Sequence, residues 1–229
     1  AKAIAEELGA PIAEDAALRV MVRIEDDLVT ISLDTTGESL HKRGFKAGVA
    51  KAPMRETMAA MFLRQCGYDG SQTVLDPMCG SGTFVIEAAE IALGLKPGRE
   101  RNFAFEHLPG FDKQAWEGMR TPVPLREIGL RFHGSDRDAG AIRMARENAE
   151  RAGVSSVVHF EQQSVETLSP PEGPHGLIII NPPYGTRIGN KAPLIGLYRT
   201  MGNVIRAKFG GWRVGIVTTD KDLAKATGL

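Results

Sequence analysis

Leu75-Asp76-Pro77-Met78-Cys79-Gly80-Ser81-Gly82-Thr83 joins a short apolar run to a helical one. Residues 73–76 read as a strand and residues 83–93 as a helix. Between them, glycines let the backbone turn tightly and approach a ligand with no Cβ in the way. The helix that follows presents free N–H groups, which favour an anionic group. Such a turn serves a dinucleotide, a nucleotide or a sulfonium nucleoside, or simply closes without a ligand. Working downstream, residues 130–136, 157–160, 177–181 and 212–219 read as strands, and residues 139–151 and 194–208 as helices. This alternation predicts an α/β fold with a parallel sheet and crossover helices. Leu177-Ile178-Ile179-Ile180 is apolar at every position, as a strand covered on both faces should be.

Upstream, Val20, Val22 and Ile24 alternate with other residues, and so do Val29, Ile31 and Leu33. The polar turn Glu25-Asp26-Asp27 separates them, which predicts a hairpin. A helix-like stretch precedes it at residues 1–8. The basic linker His41-Lys42-Arg43-Gly44-Phe45-Lys46 follows, suited either to RNA phosphates or to solvent. A helix starts near Pro53. Met54, Met58, Met61 and Phe62 recur on it at helical spacing and predict its core face, with Arg55 and Glu56 on the polar side. Residues 97–129 hold four prolines, two phenylalanine-rich turns and Trp116. They read as an insertion, and Trp116 and Trp212 as packing residues.

Two more strand ends carry chemistry. His133-Gly134-Ser135-Asp136-Arg137-Asp138 closes the second strand of the alternating region. Ligands in open α/β sheets bind at the carboxyl ends of strands. Asp136 there can accept both hydroxyls of a ribose, while Asp138 reads as the cap of the next helix. Ile180-Asn181-Pro182-Pro183-Tyr184-Gly185 closes the fourth strand. Its two prolines remove backbone donors and stiffen the turn. What remains are acceptors, the Asn181 side-chain oxygen and the Pro182 carbonyl, which suit the two N–H groups of an exocyclic amine on a nucleobase. Such a nitrogen is a poor nucleophile because its lone pair is delocalised into the ring. Hydrogen bonds to both N–H groups favour a pyramidal nitrogen whose lone pair is free to attack. Tyr184 offers a face on which an unpaired base can stack.

These motifs resemble the S-adenosylmethionine (SAM)-dependent amino-methyltransferases. Ser39-Leu40-His41-Lys42-Arg43-Gly44-Phe45 with Ala52-Pro53-Met54-Arg55-Glu56-Thr57 resembles the junction between a THUMP domain and its methyltransferase domain. Pro97-Gly98-Arg99 with Phe103-Ala104-Phe105-Glu106 is similar to the same group. Together they resemble the bacterial 23S ribosomal RNA guanine-N2 methyltransferases over nearly the whole chain. The resemblance implies a class I, Rossmann-like methyltransferase fold over residues 47–229, preceded at residues 1–46 by the C-terminal part of a THUMP domain and a linker. It implies SAM as methyl donor, RNA as partner and a cytoplasmic setting. Asp76, Met78, Cys79, Gly80, Ser81, Gly82 and Thr83 would line the SAM site, with Asp136 and Arg137 at the ribose and Ser164 beyond the third strand. Asn181, Pro182, Pro183 and Tyr184 would hold the target base, and residues 53–56 would close over the methionine end. The chain departs from the family in having Gln162-Gln163-Ser164 where an acid is common. It also covers only the end of a THUMP domain, and it stops after the fifth strand, where the family's sheet continues. It opens without an initiator Met and ends at Ala226-Thr227-Gly228-Leu229, where another helix is expected to begin, so it reads as a piece of a longer protein.

Composition narrows the field. The chain has 229 residues, 42% hydrophobic and 24% charged, with 28 Lys+Arg against 28 Asp+Glu. Disordered and fibrous classes are excluded, and no apolar run approaches the length of a membrane helix. Cys66 and Cys79 make no disulfide framework, which suits a reducing compartment. The five histidines, at 41, 107, 133, 159 and 175, show no metal-ligand spacing, so no metal is expected. A dinucleotide enzyme fails because Val85 occupies the place of the third glycine and the ribose-binding acid is not at its usual spacing. A cytosine-5 methyltransferase would need its cysteine near the base, and Cys79 reads as a packing residue instead. An adenine-N6 DNA methyltransferase shares the Asn-Pro-Pro-Tyr logic and is the main alternative.

Overall fold

The computed structural model describes residues 2–9, 11–46, 54–121, 124–184 and 192–229. In chain order these form α1 (Lys2–Leu8), β1 (Arg19–Glu25), β2 (Leu28–Asp34), α2 (Glu56–Gln65), β3 (Val74–Asp76), α3 (Thr83–Leu93), α4 (Lys113–Arg120), β4 (Phe132–Asp136), α5 (Ala139–Ala152), β5 (Val158–Gln162), β6 (Leu177–Ile180), α6 (Ala192–Lys208), β7 (Arg213–Ile216) and α7 (Lys221–Ala226).

Five strands make one parallel sheet in the order β5-β4-β3-β6-β7. The first of them, β3, lies in the middle. The next two strands, β4 and β5, extend one side of it, and β6 and β7 extend the other, which makes the carboxyl end of β3 the topological switch point. The expected α/β fold is borne out.

The strands split their side chains between two cores. Val74, Phe132, Phe160, Leu177 and Ile179 pack under α2, α3 and α5, while Leu75, Ile178 and Ile180 pack under α6 and α7. All four residues of β6 are fully buried, as an apolar run covered on both faces requires.

Strand ends differ from the sequence reading for a common reason. Expected from 130, β4 begins at Phe132 because its neighbour begins opposite it, at Val158. Expected to 219, β7 ends at Ile216 because that residue faces Ile180, the last of β6. Apolar patterning marks what can be buried; pairing marks where the ladder ends.

On α2 the buried stripe is Glu56, Ala59 and Leu63. Met58 and Met61, expected in the core, are 40% and 44% exposed, while Glu56, expected on the polar side, is 4% exposed. The linker explains the exchange. Lys46 turns inward and its Nζ lies 3.2 Å from Glu56 Oε1. Arg43 donates from Nε and Nη2 to the two oxygens of Glu87, each at 3.2 Å, and Arg99 Nη2 lies 2.6 Å from Glu90 Oε1. Arg43 and Lys46 are therefore neither phosphate contacts nor a solvated face. They are internal cations that fasten the linker to α2 and α3.

The hairpin pairs in antiparallel register from Arg19↔Asp34 to Glu25↔Leu28. Asp26 and Asp27 take φ of +50° and +62°, the left-handed pair of a two-residue hairpin turn. Its apolar residues, including Val22, Ile24 and Ile31, are exposed among the described residues. The insertion forms a 3-10 turn (Ala104–His107) and α4. Trp116 stands edge-on to Phe103 and Phe105, with centroids 5.7 and 4.9 Å away, so its expected packing role holds. This knot ties down the hairpin's exit. Phe105 N–H donates to the Thr35 carbonyl at 3.0 Å, and the Arg101 guanidinium donates to the carbonyls of Thr36, Glu38, Ser39 and Lys42.

A cation that gathers four backbone acceptors is hard to replace. Arg101→Met is expected to speed proteolytic cleavage within residues 11–40 by about tenfold or more. The main thermal transition should move little. Limited proteolysis beside a melting curve checks both.

Candidate active site

The site starts from β3. Asp76 is its last residue and is 2% exposed. The chain must turn at once into α3, and Gly82 sits at that helix's N-cap with φ +84°. A Cβ there would lie 2.9 Å from the Phe160 ring and 3.1 Å from Ala145 Cβ, so only glycine fits. Gly80, at φ +52°, is the opposite case: a Cβ would meet nothing within 4 Å. That open space, beside the free N–H groups of the first turn of α3, is where the loop can admit a ligand.

The loop is pinned to the tip of β4. Cys79 N–H donates to the Ser135 carbonyl at 2.9 Å, and Gly80 N–H donates to Asp136 Oδ2 at 3.0 Å. Asp136 Oδ1 accepts from Asp138 N–H at 3.0 Å. Each carboxylate oxygen retains a lone pair that a hydroxyl could use. Asp138 caps α5 as expected, accepting from Gly140 and Ala141 N–H. The Arg137 side chain is exposed, and its carbonyl accepts from Gln162 Nε2 at 3.1 Å.

The other loop residues have structural duties too. Met78 N–H donates to Asp76 Oδ1 at 3.0 Å. The Ser81 carbonyl accepts from Asn148 Nδ2 at 3.1 Å, and Thr83 Oγ1 accepts from Lys46 Nζ at 2.9 Å. Cys79 is 6% exposed within the core. Burial, with the Asp76 and Asp136 carboxylates nearby, pushes its thiol well above the usual range. It packs and is no nucleophile.

Beyond β5, the Ser164 hydroxyl donates to the Glu166 carboxylate. The sequence reading found no acid here; the structure finds one two residues later, held by Ser164. A serine two residues before a glutamate was the signal available.

At the end of β6, Val217 N–H donates to the Ile180 carbonyl at 2.9 Å, the last rung before the turn. Asn181 Oδ1 is buried with no hydrogen-bond partner among the described residues. Pro182 is buried, Pro183 exposed, and Tyr184 half-buried against the core beneath α6. Tyr198 of α6, which sequence reading passed over, donates to the Pro183 carbonyl at 3.4 Å. The pairing Leu75↔Ile178 sets this turn beside the carboxyl end of β3. Asp76, the glycine loop, Asp136 and Asn181 therefore share one edge of the sheet. Pro53 and Gly185 lie outside the described residues. Glu56 Oε1 is engaged by Lys46 Nζ at 3.2 Å. Among the described residues no cluster of His, Cys, Asp or Glu could hold a metal, and no helix is long and apolar enough to cross a membrane.

Burial pushes the Asp76 carboxyl up to about 8, with the Asp136 charge adding to the rise. Burial likewise pushes Glu87 to about 7, aided by Glu90 and opposed by Arg43. A carboxyl held above its ordinary value of 3.8 binds its proton more tightly in the folded chain. The stability it contributes is complete below about pH 4 and is lost as pH rises through about 8. Urea midpoints of the unliganded protein should fall between pH 6 and 9, and Asp76→Asn should flatten that decline. A wild-type midpoint that holds steady across this range would contradict the assignment.

Comparison with known proteins follows the same edge. Residues 43–229 match the family described as RMKL-like, methyltransferase domain. A ribosomal RNA large subunit methyltransferase K/L from Vibrio campbellii is 38% identical over 214 residues, 90% of this chain and 30% of that protein. The chain thus spans about a third of that relative's length. A protein from Clostridium difficile 630 described as "a possible methylase" superposes with a TM-score of 0.86 at 36% identity, covering 99% of this chain and 61% of that one. SMU.472, described as "a putative methyltransferase complexed with SAH" (S-adenosylhomocysteine), superposes with a TM-score of 0.85 at 31% identity, covering 98% and 60%.

Proposed function

The chain belongs to the RMKL-like methyltransferase domain family, and we propose that it transfers the methyl group of SAM to the exocyclic N2 amine of a guanosine in 23S ribosomal RNA. The observation that carries this reading is Asn181 Oδ1, a buried acceptor without a partner among the described residues, at the end of β6. An unsatisfied buried oxygen costs stability, so its retention points to a donor supplied by substrate. It stands on the same sheet edge as the glycine loop and Asp136.

SAM supplies an electrophilic methyl group on a sulfonium. The residues present fit it. Gly80 leaves open space at the loop, Asp136 has acceptor capacity for the ribose, and the start of α3 suits a carboxylate. Asn181 Oδ1 and the Pro182 carbonyl accept the two N–H groups of the target amine. They would hold the nitrogen pyramidal with its lone pair exposed. Transfer to that nitrogen would form an N–C bond as the donor's S–C bond breaks, with the amine's proton passing to water. Catalysis of this kind rests mainly on positioning. A base inside a duplex cannot reach such a turn, so the target is flipped or single-stranded, with Tyr184 as its stacking face. Residues 1–46 we assign to the end of an RNA-binding THUMP domain and its linker, and the setting of the reaction to the cytoplasm.

Nucleoside mass spectrometry tests the assignment. Cells with and without the full-length gene are compared, with 23S ribosomal RNA and genomic DNA digested separately. The expected result is loss of one N2-methylguanosine from the RNA. Loss of N6-methyladenine from DNA would instead make the adenine alternative correct. In the purified enzyme, Asn181→Ala should lower turnover by about a hundredfold or more while sparing SAM affinity. Asp136→Ala should weaken SAM binding, and unchanged binding would remove Asp136 from the ribose role.

A further inference from the structure

Pro182 and Pro183 contribute no N–H, so these two residues can anchor the turn only through their carbonyls and their packing. Tyr198 does this from below. Its side chain is fully buried in the core under α6, packed with Ile178, Ile180, Leu194 and Met201, so the phenol has little freedom. The phenol donates to the Pro183 carbonyl at 3.4 Å.

We infer that Tyr198 is a positioning residue for the amine chemistry, fixing the Pro182-Pro183 turn so that Asn181 Oδ1 and the Pro182 carbonyl face the target nitrogen. The inference rests on the role proposed above for Asn181. At 3.4 Å the Tyr198–Pro183 bond is long, and a long neutral hydrogen bond adds little to stability. Its value lies in geometry, where a displacement of about 1 Å costs about a hundredfold in rate. Phenylalanine fills the same core volume and removes only the phenolic oxygen, so Tyr198→Phe separates aim from packing.

The full-length protein is assayed as wild type and as Tyr198→Phe. Substrates are 23S ribosomal RNA and large-subunit precursors from cells lacking the gene. SAH affinity is measured by titration, and thermal midpoints are recorded. For Tyr198→Phe the expected result is a fall in kcat of about tenfold. RNA KM and SAH affinity should stay within about twofold of wild type, and the midpoint within a few degrees. Unchanged kcat in Tyr198→Phe overturns the inference while leaving the methylation reading intact. So does a kcat loss matched by weaker SAH binding and a lower midpoint, which marks a merely structural role. No transfer by the wild-type protein on either substrate overturns the methylation reading and this inference with it.

Discussion

Two hydrogen bonds from the glycine loop to the tip of β4 hold the functional edge together. Cys79 N–H on the Ser135 carbonyl and Gly80 N–H on Asp136 Oδ2 fix where the turn leaves β3 and where α3 begins. Because Asp136 is part of the clamp, the carboxylate proposed for the ribose is oriented before any ligand arrives, which lowers the ordering cost of binding. Gly82 completes the constraint. The Phe160 ring and Ala145 occupy the space a side chain would need, so loop, β5 and α5 pack as one unit. Crowding beneath the loop and openness at Gly80 give the turn a rigid underside and a free upper surface.

Buried charge does much of the remaining fastening. Arg43 on Glu87, Lys46 on Glu56 and Arg99 on Glu90 cross-link the linker, α2, α3 and the insertion. Buried pairs of this kind are weak sources of net stability, yet removing one partner is costly because the other is left uncompensated. Their effect is to specify geometry. Lys46 also reaches Thr83 Oγ1 at the start of α3, so the linker from the hairpin ends on the proposed SAM loop. Arg101 does similar work nearer the hairpin through neutral carbonyls.

Much of this was legible from residues. The helix 83–93 has the expected bounds, Asp138 caps α5, Cys79 packs, and β6 is buried at every position. Each follows from a local rule: a glycine turn, a cap, an unbroken apolar run. The polarity of α2 was not legible. Glu56 looks like a surface acid until Lys46 arrives from ten residues upstream, and Met58 and Met61 satisfy helical spacing while facing solvent. Periodicity finds a face, and the partner decides which face is buried. Glu166 and Tyr198 were missed for a related reason. Their roles depend on contacts with Ser164 and with Pro183, the second across 15 residues of chain. The site's strand-end residues were found because the sheet itself delivers them to one edge.

The central claim is that one edge of the sheet holds the methyl donor against a pair of acceptors awaiting an amine. The most direct measurement is a crystal structure of the full-length protein soaked with SAH. The account predicts the ribose hydroxyls on Asp136, the amino-acid end at the start of α3, and the sulfur facing Asn181 Oδ1 across an open gap. SAH bound away from Asp136, or with its sulfur turned from Asn181, would contradict it.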